Sequence, residues 1–209
     1  MTNFAELSLQ RFLDALASDA PTPGGGTAAA AAGAMGAALA QMVAALTLSK
    51  EKYATSHDAV RPIAEAGELA RAEFLGLARE DSKAYDEVVA ARRSPKDTDA
   101  EKAARNHRIA VANRTAAEVP MRTARAAVRL LAALPELAEK GNPNAASDVG
   151  AAALLLDACV EGALLNVGIN LSGIEDATFV AQMQKETAIL QEESQRLRSQ
   201  VLAIVRKRF

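Results

Sequence analysis

The sequence predicts an all-α protein built as a multihelical bundle with long helices. Apolar residues recur at helical spacing along most of the chain, and no segment alternates with the period of two that a strand requires. Aromatic residues make up only 3% of the 209 residues and Trp is absent, so Ala, Leu and Val must form the core and let helices approach closely. Because no low-complexity linker or repeat interrupts the pattern, we expect a single domain over residues 1–209.

The first two predicted helices flank a turn rich in Pro and Gly. An apolar stripe marks a helix over residues 4–18, and the sequence PTPGGGT then leads into an Ala-rich helix over 28–46. Within that helix Ala29, Gly33 and Ala37 recur every four residues and present a small face to a partner helix. We expect this face, or that of a later helix over 145–171, to be buried in a homodimer.

The remaining elements also follow a helical pattern. A long amphipathic pattern runs from Ser56 to about Arg93, and the sequence SPKDTD interrupts it. Thr98 and Glu101 have the spacing of a capping box and start the next helix, in which Pro120 should introduce a kink. A second break is predicted at the sequence LPELAEKGNPN. The last two helices are predicted over residues 145–171 and 176–209.

Composition argues against several classes of protein. The formal net charge is −2 and no basic cluster stands out, so we expect neither a nucleic-acid partner nor a polybasic membrane surface. Cys159 is the single cysteine, which excludes an intramolecular disulfide and is typical of a reducing compartment. The sequence MTNFAELSLQRF lacks the pattern of a signal peptide, and we expect a cytoplasmic protein. His57 and His107 form no ligand spacing with Cys159, so we predict no metal.

A membrane-spanning helix is the alternative interpretation of residues 28–46. The stretch contains one polar side chain, Gln41, and approaches the roughly 20 residues that a span needs. Ala and Gly are only weakly hydrophobic, however, and we find no second stretch of equal purity. We therefore favour a helix buried on all sides in a bundle and expect no membrane partner.

Three interpretations of the glycine turn remain open. It is a flexible turn, or a phosphate-binding loop, or a place where a ligand lies against bare backbone at a helix N-terminus. The spacing matches neither of the common phosphate-binding glycine motifs, which makes the second interpretation weak. A second Gly/Asn/Pro turn precedes Asp148 and another helix of small residues, but composition alone does not select one interpretation.

Two pairs of polar residues lie four apart in the apolar segment 145–171. Asn166 and Asn170 share one helix face, where their amides need hydrogen-bond partners. Asp157 and Glu161 share another face, and since like charges at this spacing repel, we expect them to face solvent or to pair with an Arg of a partner.

Several of these stretches together resemble the C-terminal domain family of formiminotransferase-cyclodeaminase, which includes stand-alone methenyltetrahydrofolate cyclohydrolases. The matching stretches are PTPGGGTAAAAAGAMG, SKEKY, AREDSKAYDEVVAARR, AAEVPMRTA, KGNPNAASDVGAAALL and LNVGINL. They follow one another in order over nearly the whole chain.

The resemblance implies an all-α homodimer that acts on a tetrahydrofolate derivative. The expected reaction is hydrolysis of 5,10-methenyltetrahydrofolate to 10-formyltetrahydrofolate. The alternative within the family is the ammonia-releasing ring closure of 5-formiminotetrahydrofolate, and the alternative from another class is a folate-binding helical protein without catalysis. The methenyl carbon is already electrophilic, so we expect no permanently bound cofactor and no metal.

The resemblance also suggests site residues. A carboxylate is needed to hold the pterin or to accept a proton from water, and basic groups are needed for the glutamate tail. The residues implied as catalytic are Asp148, Asp81 and Lys50. Those implied in substrate binding are Pro23, Gly24, Gly25, Gly26, Lys52, Tyr53, Tyr85, Glu118, Asn142, Asn144 and Asn170.

Overall fold

The structure, a computed structural model that describes residues 6–208, is all-α in its described part. Helices account for nearly all of it, and three short 3₁₀ turns complete the chain at 51–56, 143–145 and 206–208. This confirms the predicted fold class. The helices are α1 (Leu9–Leu16), α2 (Gly25–Leu48), α3 (His57–Arg92), α4 (Asp99–Leu131), α5 (Leu134–Lys140), α6 (Ala146–Leu171) and α7 (Ala177–Val205).

Helices α2 and α6 run antiparallel and form the centre of the bundle. Their small residues let them approach each other and α3 closely, because a Cβ on Gly33 would lie 2.7 Å from the Phe74 ring and 2.8 Å from Cys159 Sγ. A Cβ on Gly36 would likewise lie 2.9 Å from Leu156. The predicted role of the small faces in a dimer is therefore wrong, since they pack inside one protomer.

The two longest helices form as the sequence predicts. Helix α3 ends at Arg92, and the capping box of α4 is present: Thr98 Oγ1 accepts from the Glu101 N–H at 3.2 Å while the Glu101 carboxylate accepts from the Thr98 N–H at 2.9 Å. Helix α4 then continues through Pro120. Together α3 and α4 cover one side of the α2–α6 pair.

Two boundaries differ from the sequence prediction. Helix α1 covers Leu9–Leu16 only, and Phe4, the predicted start of its stripe, lies outside the described residues. The second predicted break contains helix α5, because Pro135 stands at its first turn, where proline needs no hydrogen-bond donor. A proline at a helix start was thus interpreted as the end of helical structure.

Helix α7 is attached to α6 through the second polar pair. Asp157 is buried and accepts from Ser194 Oγ at 2.7 Å and from Arg198 at 2.8 Å, and Glu161 accepts from Gln191 at 2.8 Å. The expectation that this pair faces solvent or a partner is wrong, because α7 supplies the donors within the same chain.

Two described helices are long and apolar enough to cross a membrane by length and composition: Gly25–Leu48 and Pro143–Leu171. The second of them corrects the expectation that no other stretch of this kind exists. About half of each segment is buried inside the protein, as in the core helices of a bundle.

Candidate active site

The glycine turn brings a carboxylate onto the start of a helix. Gly24 is the N-cap of α2 and has no side chain to cap the free N–H groups of the first turn. Asp81, from the middle of α3, lies there instead, since a Cβ on Gly26 would be 2.7 Å from its Cγ. The bare backbone is therefore needed for a carboxylate of the protein itself, a possibility that none of the three sequence interpretations contained.

A short hydrogen-bond chain fixes this carboxylate. Thr27 Oγ1 donates to Asp81 Oδ2 at 2.9 Å and lies 3.1 Å from Ser82 Oγ. Because the one hydroxyl hydrogen of Thr27 is used on Asp81, Ser82 must be the donor in the second contact. Thr27 and Ser82 are both buried, so the chain holds Asp81 in one orientation.

Burial raises the pKa of Asp81 above its ordinary value of 3.8, and hydrogen bonds from the side chain and backbone of Thr27 partly offset this effect. Desolvation disfavours the charged form, whereas donors to the carboxylate favour it. A carboxyl group with a raised pKa is suited to take up and release a proton closer to neutral pH. Asp81 therefore has the environment of an acid–base group rather than of a solvated surface residue.

Asp81 opens onto a cavity of about 470 Å³, which we call the Asp81 cavity. This volume lies in the range of small-molecule sites. Its walls come from the start of α2, the second half of α3, the middle of α4 and the end of α6. The lining residues are Pro21, Thr22, Gly24, Gly25, Gly26, Asp81, Ala84, Tyr85, Val88, Arg92, Asn113, Ala116, Asn166, Ile169, Asn170, Ser172 and Gly173.

Three asparagines line the cavity with their amide nitrogens already engaged. Nδ2 of Asn113 donates to the Gly173 carbonyl at 2.8 Å, Nδ2 of Asn166 to Gly162 at 2.8 Å and Nδ2 of Asn170 to Ala116 at 2.6 Å. Within residues 6–208 no donor reaches their carbonyl oxygens. The cavity thus offers three amide oxygens and a carboxylate to a ligand that carries N–H groups.

The charges of the lining residues are separated along α3. Asp81 is the one carboxylate and Arg92 the one cation among the described residues that line the cavity. Tyr85 and Val88 lie between them on the same helix face. The cavity is therefore acidic at one end and basic at the other.

The residues suggested by the sequence fall into two groups at opposite ends of the α2–α6 pair. The Asp81 cavity brings the first group together: Gly24, Gly25, Gly26, Asp81, Tyr85 and Asn170. The second group surrounds the end of α2 and the start of α6. Its members are Lys50, Lys52, Tyr53, Asn142, Asn144 and Asp148. Asp148 and Asn166 are about 27 Å apart along α6 at 1.5 Å per residue, so one protomer does not join the groups.

The second group is largely engaged in its own hydrogen bonds. Tyr53 donates its hydroxyl to Asn142 Oδ1 at 2.9 Å, and the N–H of Asn144 donates to the same oxygen at 3.1 Å. Lys52 Nζ lies 4.8 Å from the centre of the Tyr53 ring. These contacts tie the turn before α6 to the turn after α2. Asp148 lies half-buried in the first turn of α6.

Two suggested residues lie in neither group. Pro23 is buried just before α2, and its neighbours Thr22 and Gly24 line the cavity instead. Glu118 is exposed on α4 and lies 3.8 Å from Arg114, with which it forms an ion pair.

Thr27, which donates to Asp81, was not assigned to the site from the sequence, and neither were Arg92, Asn113 and Asn166, which line the cavity. Thr27 follows the glycines directly, and Arg92 lies on the α3 face of Asp81 and Tyr85, so helical spacing was a usable signal for both. Asn166 was noted only for its partner Asn170. Asn113 had no sequence signal, because its role depends on how α4 packs against the end of α6.

The described part of the chain contains no cluster of side chains of the kind that binds a metal ion. No three His, Cys, Asp or Glu side chains converge there. Cys159 is buried against Gly33, and burial raises the pKa of its thiol to about 12. This thiol therefore stays protonated at neutral pH and is a poor nucleophile.

Comparison with known proteins places this geometry in a family. The sequence profile of the formiminotransferase-cyclodeaminase family matches residues 8–189. A methenyltetrahydrofolate cyclohydrolase from Methylorubrum extorquens is 40% identical over 201 residues, which cover 96% of this chain and 97% of that protein. A formimidoyltransferase-cyclodeaminase from Sus scrofa is 36% identical over 185 residues, which cover 88% of this chain but only 34% of the longer protein.

The fold has a solved counterpart. A crystal structure of formiminotetrahydrofolate cyclodeaminase from Thermotoga maritima superposes with a TM-score of 0.88 at 35% sequence identity, covering 97% of this chain and 98% of that one. Profile, sequence and structure agree over nearly the full length, and the chain belongs to the formiminotransferase-cyclodeaminase family.

Proposed function

We propose that the protein hydrolyses 5,10-methenyltetrahydrofolate to 10-formyltetrahydrofolate in the Asp81 cavity. The observation that carries the proposal is the partly buried Asp81 carboxylate at the start of α2, in a cavity that also offers three amide oxygens. The methenyl compound is a cation, and its pterin presents several N–H groups along one edge. Both properties suit a cavity with one carboxylate and three free amide oxygens.

The chemistry assigned to Asp81 is general acid–base catalysis. Water adds to the methenyl carbon while the Asp81 carboxylate takes one of its protons. The bond between this carbon and N5 then breaks, N5 receives the proton from Asp81, and the added hydroxyl releases its own proton as the formyl group forms. One water is consumed and one proton is released overall. Thr27 and Ser82 keep the carboxylate in position throughout.

The same groups serve ring closure of 5-formiminotetrahydrofolate, which is the second candidate function. In that reaction N10 attacks the formimino carbon, and protonated Asp81 supplies a proton to the departing ammonia. The observation that favours this candidate is the 0.88 TM-score to the Thermotoga maritima cyclodeaminase. The cyclohydrolase remains our first choice because of the 40% identity to a stand-alone cyclohydrolase of nearly the same length.

One spectroscopic experiment tests the activity and separates the candidates. The methenyl compound absorbs in the near ultraviolet, and its hydrolysis product does not absorb at that wavelength. Purified protein should clear this band from 5,10-methenyltetrahydrofolate faster than buffer does. With 5-formiminotetrahydrofolate, appearance of the band identifies a cyclodeaminase. Absence of both changes, in a protein that still binds the folate, leaves the non-catalytic alternative.

A homodimer in the cytoplasm is part of this proposal. Helices α2 and α6 expose a common apolar face that no described element covers, with residues that range from 38% to 75% exposed. They are Met35, Met42, Leu46, Leu154, Leu165 and Ile169. Ile169 also lines the Asp81 cavity, so the cavity reaches this face. We assign the face to a second copy of the chain.

The antiparallel pairing of two such faces explains why the suggested residues occupy both ends of one protomer. A two-fold axis perpendicular to α2 and α6 brings the start of α6 in one copy towards the cavity of the other. Lys50 and Asp148 would then reach the substrate from the partner copy. Static light scattering at micromolar concentration tests the dimer, and a monomeric mass would contradict it.

A further inference from the structure

The two ends of the Asp81 cavity carry opposite charges, which would orient a bound folate. We propose that Arg92 binds the carboxylates of the folate's glutamate tail. The inference rests on the proposed function, because it assigns the two ends of a folate to the two ends of that cavity. Arg92 is the one cation among the described lining residues. Lys50 and Lys52, the basic residues that the resemblance implied for the site, lie at the other end of α2 in the same protomer.

The spacing along α3 fits the separation of the two charged ends. Asp81 and Arg92 lie on the same face of one helix, three turns or about 16 Å apart. A folate carries its donor-rich pterin and methenyl carbon at one end and its carboxylates at the other, separated by a benzoyl ring. With the methenyl carbon at Asp81, the tail extends towards Arg92.

The residues between the two charges suit the middle of such a ligand. Ala84, Tyr85 and Val88 line the cavity between Asp81 and Arg92. Tyr85 is 42% exposed, so much of its ring remains available to a ligand. An aromatic p-aminobenzoyl group would pack against this apolar strip, whereas a charged group would lose hydration there without a partner.

Arg92 is free to accept an anion. Several other arginines of the α3–α4 pair are engaged, with Arg122 on Glu80 at 2.6 Å and Arg129 on Glu73 at 2.8 Å. The Arg92 guanidinium, by contrast, has no carboxylate partner among residues 6–208. Arg105 adds positive charge nearby, because its Nε donates to the backbone carbonyl of Arg92 at 3.1 Å.

The test compares two substrates that differ only in the tail, 5,10-methenyltetrahydrofolate and 5,10-methenyltetrahydropteroate, which lacks the glutamate. Wild-type protein should have about 10–100-fold higher kcat/KM for the folate, as expected for a charged hydrogen bond. Arg92→Ala should have nearly equal kcat/KM for both, at the level of the wild type acting on the pteroate. Arg92→Lys should keep part of the preference.

Matched variants show whether the effect belongs to this position. Arg93 is the exposed neighbour that does not line the cavity, so Arg93→Ala should keep the full preference. A Lys50→Ala/Lys52→Ala variant that loses the preference, while Arg92→Ala keeps it, would overturn the proposal. Equal kcat/KM of the wild type for both substrates would overturn it too, although the proposed hydrolysis would stand.

Failure of the proposed function gives a different result. If the wild type leaves the methenyl band unchanged, titration calorimetry with 5-formyltetrahydrofolate and 5-formyltetrahydropteroate measures the tail preference without turnover. If the pteroate binds more weakly than the folate, and Arg92→Ala removes this difference in affinity, the result would support the tail site in a protein that is not a cyclohydrolase. Equal affinities, or no binding of either compound, would overturn the tail site as well.

Discussion

The carboxylate of Asp81 lies in the space that a side chain on Gly26 would need. A Cβ on residue 26 would be 2.7 Å from Cγ of Asp81, which is closer than real Cβ contacts allow. Asp81 lies at the uncapped first turn of α2, where free N–H groups and the positive end of the helix dipole favour an acceptor. The glycine is therefore required by the carboxylate, and the carboxylate takes the place of a capping side chain.

This relationship makes Gly26→Ala a sharp test. We expect the added methyl to displace Asp81, lower kcat/KM for the methenyl substrate at least tenfold and lower the unfolding free energy by about 1–3 kcal/mol. The matched control is Gly76→Ala in α3, where a Cβ meets nothing within 4 Å. That change should stabilise the protein by about 0.5–1 kcal/mol in urea titrations and leave the activity unchanged. If the Gly26→Ala variant kept wild-type activity, the position of Asp81 would not matter for catalysis.

We expect the raised pKa of Asp81 to set the acidic limb of the pH–rate profile. Burial raises this pKa and the hydrogen bonds from Thr27 lower it. If ionised Asp81 is the base, kcat/KM should fall as the pH drops through a pKa above the ordinary 3.8. Thr27→Val removes the hydroxyl donor to the ionised form, so the acidic limb should move to higher pH.

The control for this shift is another buried threonine. Thr123 on α4 donates its hydroxyl to the Val119 carbonyl at 3.3 Å and does not line the cavity. Thr123→Val should therefore leave the acidic limb where the wild type has it. An equal shift in both variants, or none in Thr27→Val, would show that the limb reports another group.

The unfolding free energy should depend on pH through Asp81 in the opposite direction to the activity: it should fall as the pH rises. A carboxyl whose pKa is higher in the folded than in the unfolded state binds its proton more tightly when folded. Its stabilising contribution is present below the unfolded pKa and is lost as the pH rises through the folded pKa. Asp81→Asn cannot ionise, so we expect this variant to lose less unfolding free energy than the wild type as the pH rises from 4 to neutrality, measured by urea titration at each pH. Identical pH dependence of both proteins would contradict a raised pKa.

Much of the fold could be predicted because it depends on local signals. The capping box at Thr98 and Glu101 and the apolar pattern of α3 lie within a few turns of sequence, and both formed as expected. Pro135 was misjudged because proline marks the start of a helix as well as its end. The distinction depends on which residues pack below it, which local sequence does not show.

The site was less predictable because its parts meet only through packing. Residue type and resemblance pointed to Gly26 and Asp81 separately, but their contact depends on how α3 crosses the start of α2. Asp157 shows the same limitation in the core, since its donors on α7 are far away in sequence. Helical spacing, in contrast, is enough to place Arg92 on the face of Asp81, although this signal was not used in predicting the site.

The close approach of the central helices leads to a prediction about packing. Gly33→Leu and Gly36→Leu should each lower the unfolding free energy by about 1–3 kcal/mol or more, because the new side chains would meet Phe74 and Leu156. Gly76→Leu on α3 is the control, since a Cβ at this position meets nothing within 4 Å and α3 is not part of the proposed dimer face. Both core variants should be destabilised irrespective of protein concentration, because the contacts lie inside one protomer. Loss of stability only on dilution would return these glycines to a subunit interface.

The last prediction concerns Asp81 and Asp148, which lie at opposite ends of the α2–α6 pair. If each site takes Asp81 from one copy and Asp148 from the other, Asp81→Asn and Asp148→Asn should each lose about a hundredfold or more in kcat/KM. When the two variants are unfolded together and refolded as a mixture, the mixture should recover activity. A heterodimer then contains one site with both defects and one intact site. Random pairing makes half of the dimers mixed, so about a quarter of wild-type activity should return.

The alternatives give distinct outcomes in the same experiment. Asn caps a helix about as well as Asp, so a folded Asp148→Asn protein with wild-type activity would leave Asp148 only the role of an N-terminal helix charge. Two inactive variants that do not complement each other would mean that no site is shared between the two chains. The distance of about 27 Å along α6 between Asp148 and Asn166 of the Asp81 cavity argues against a site that takes both carboxylates from one protomer. Recovery near a quarter of wild-type activity requires an intact site shared by two chains, because neither variant chain carries both carboxylates.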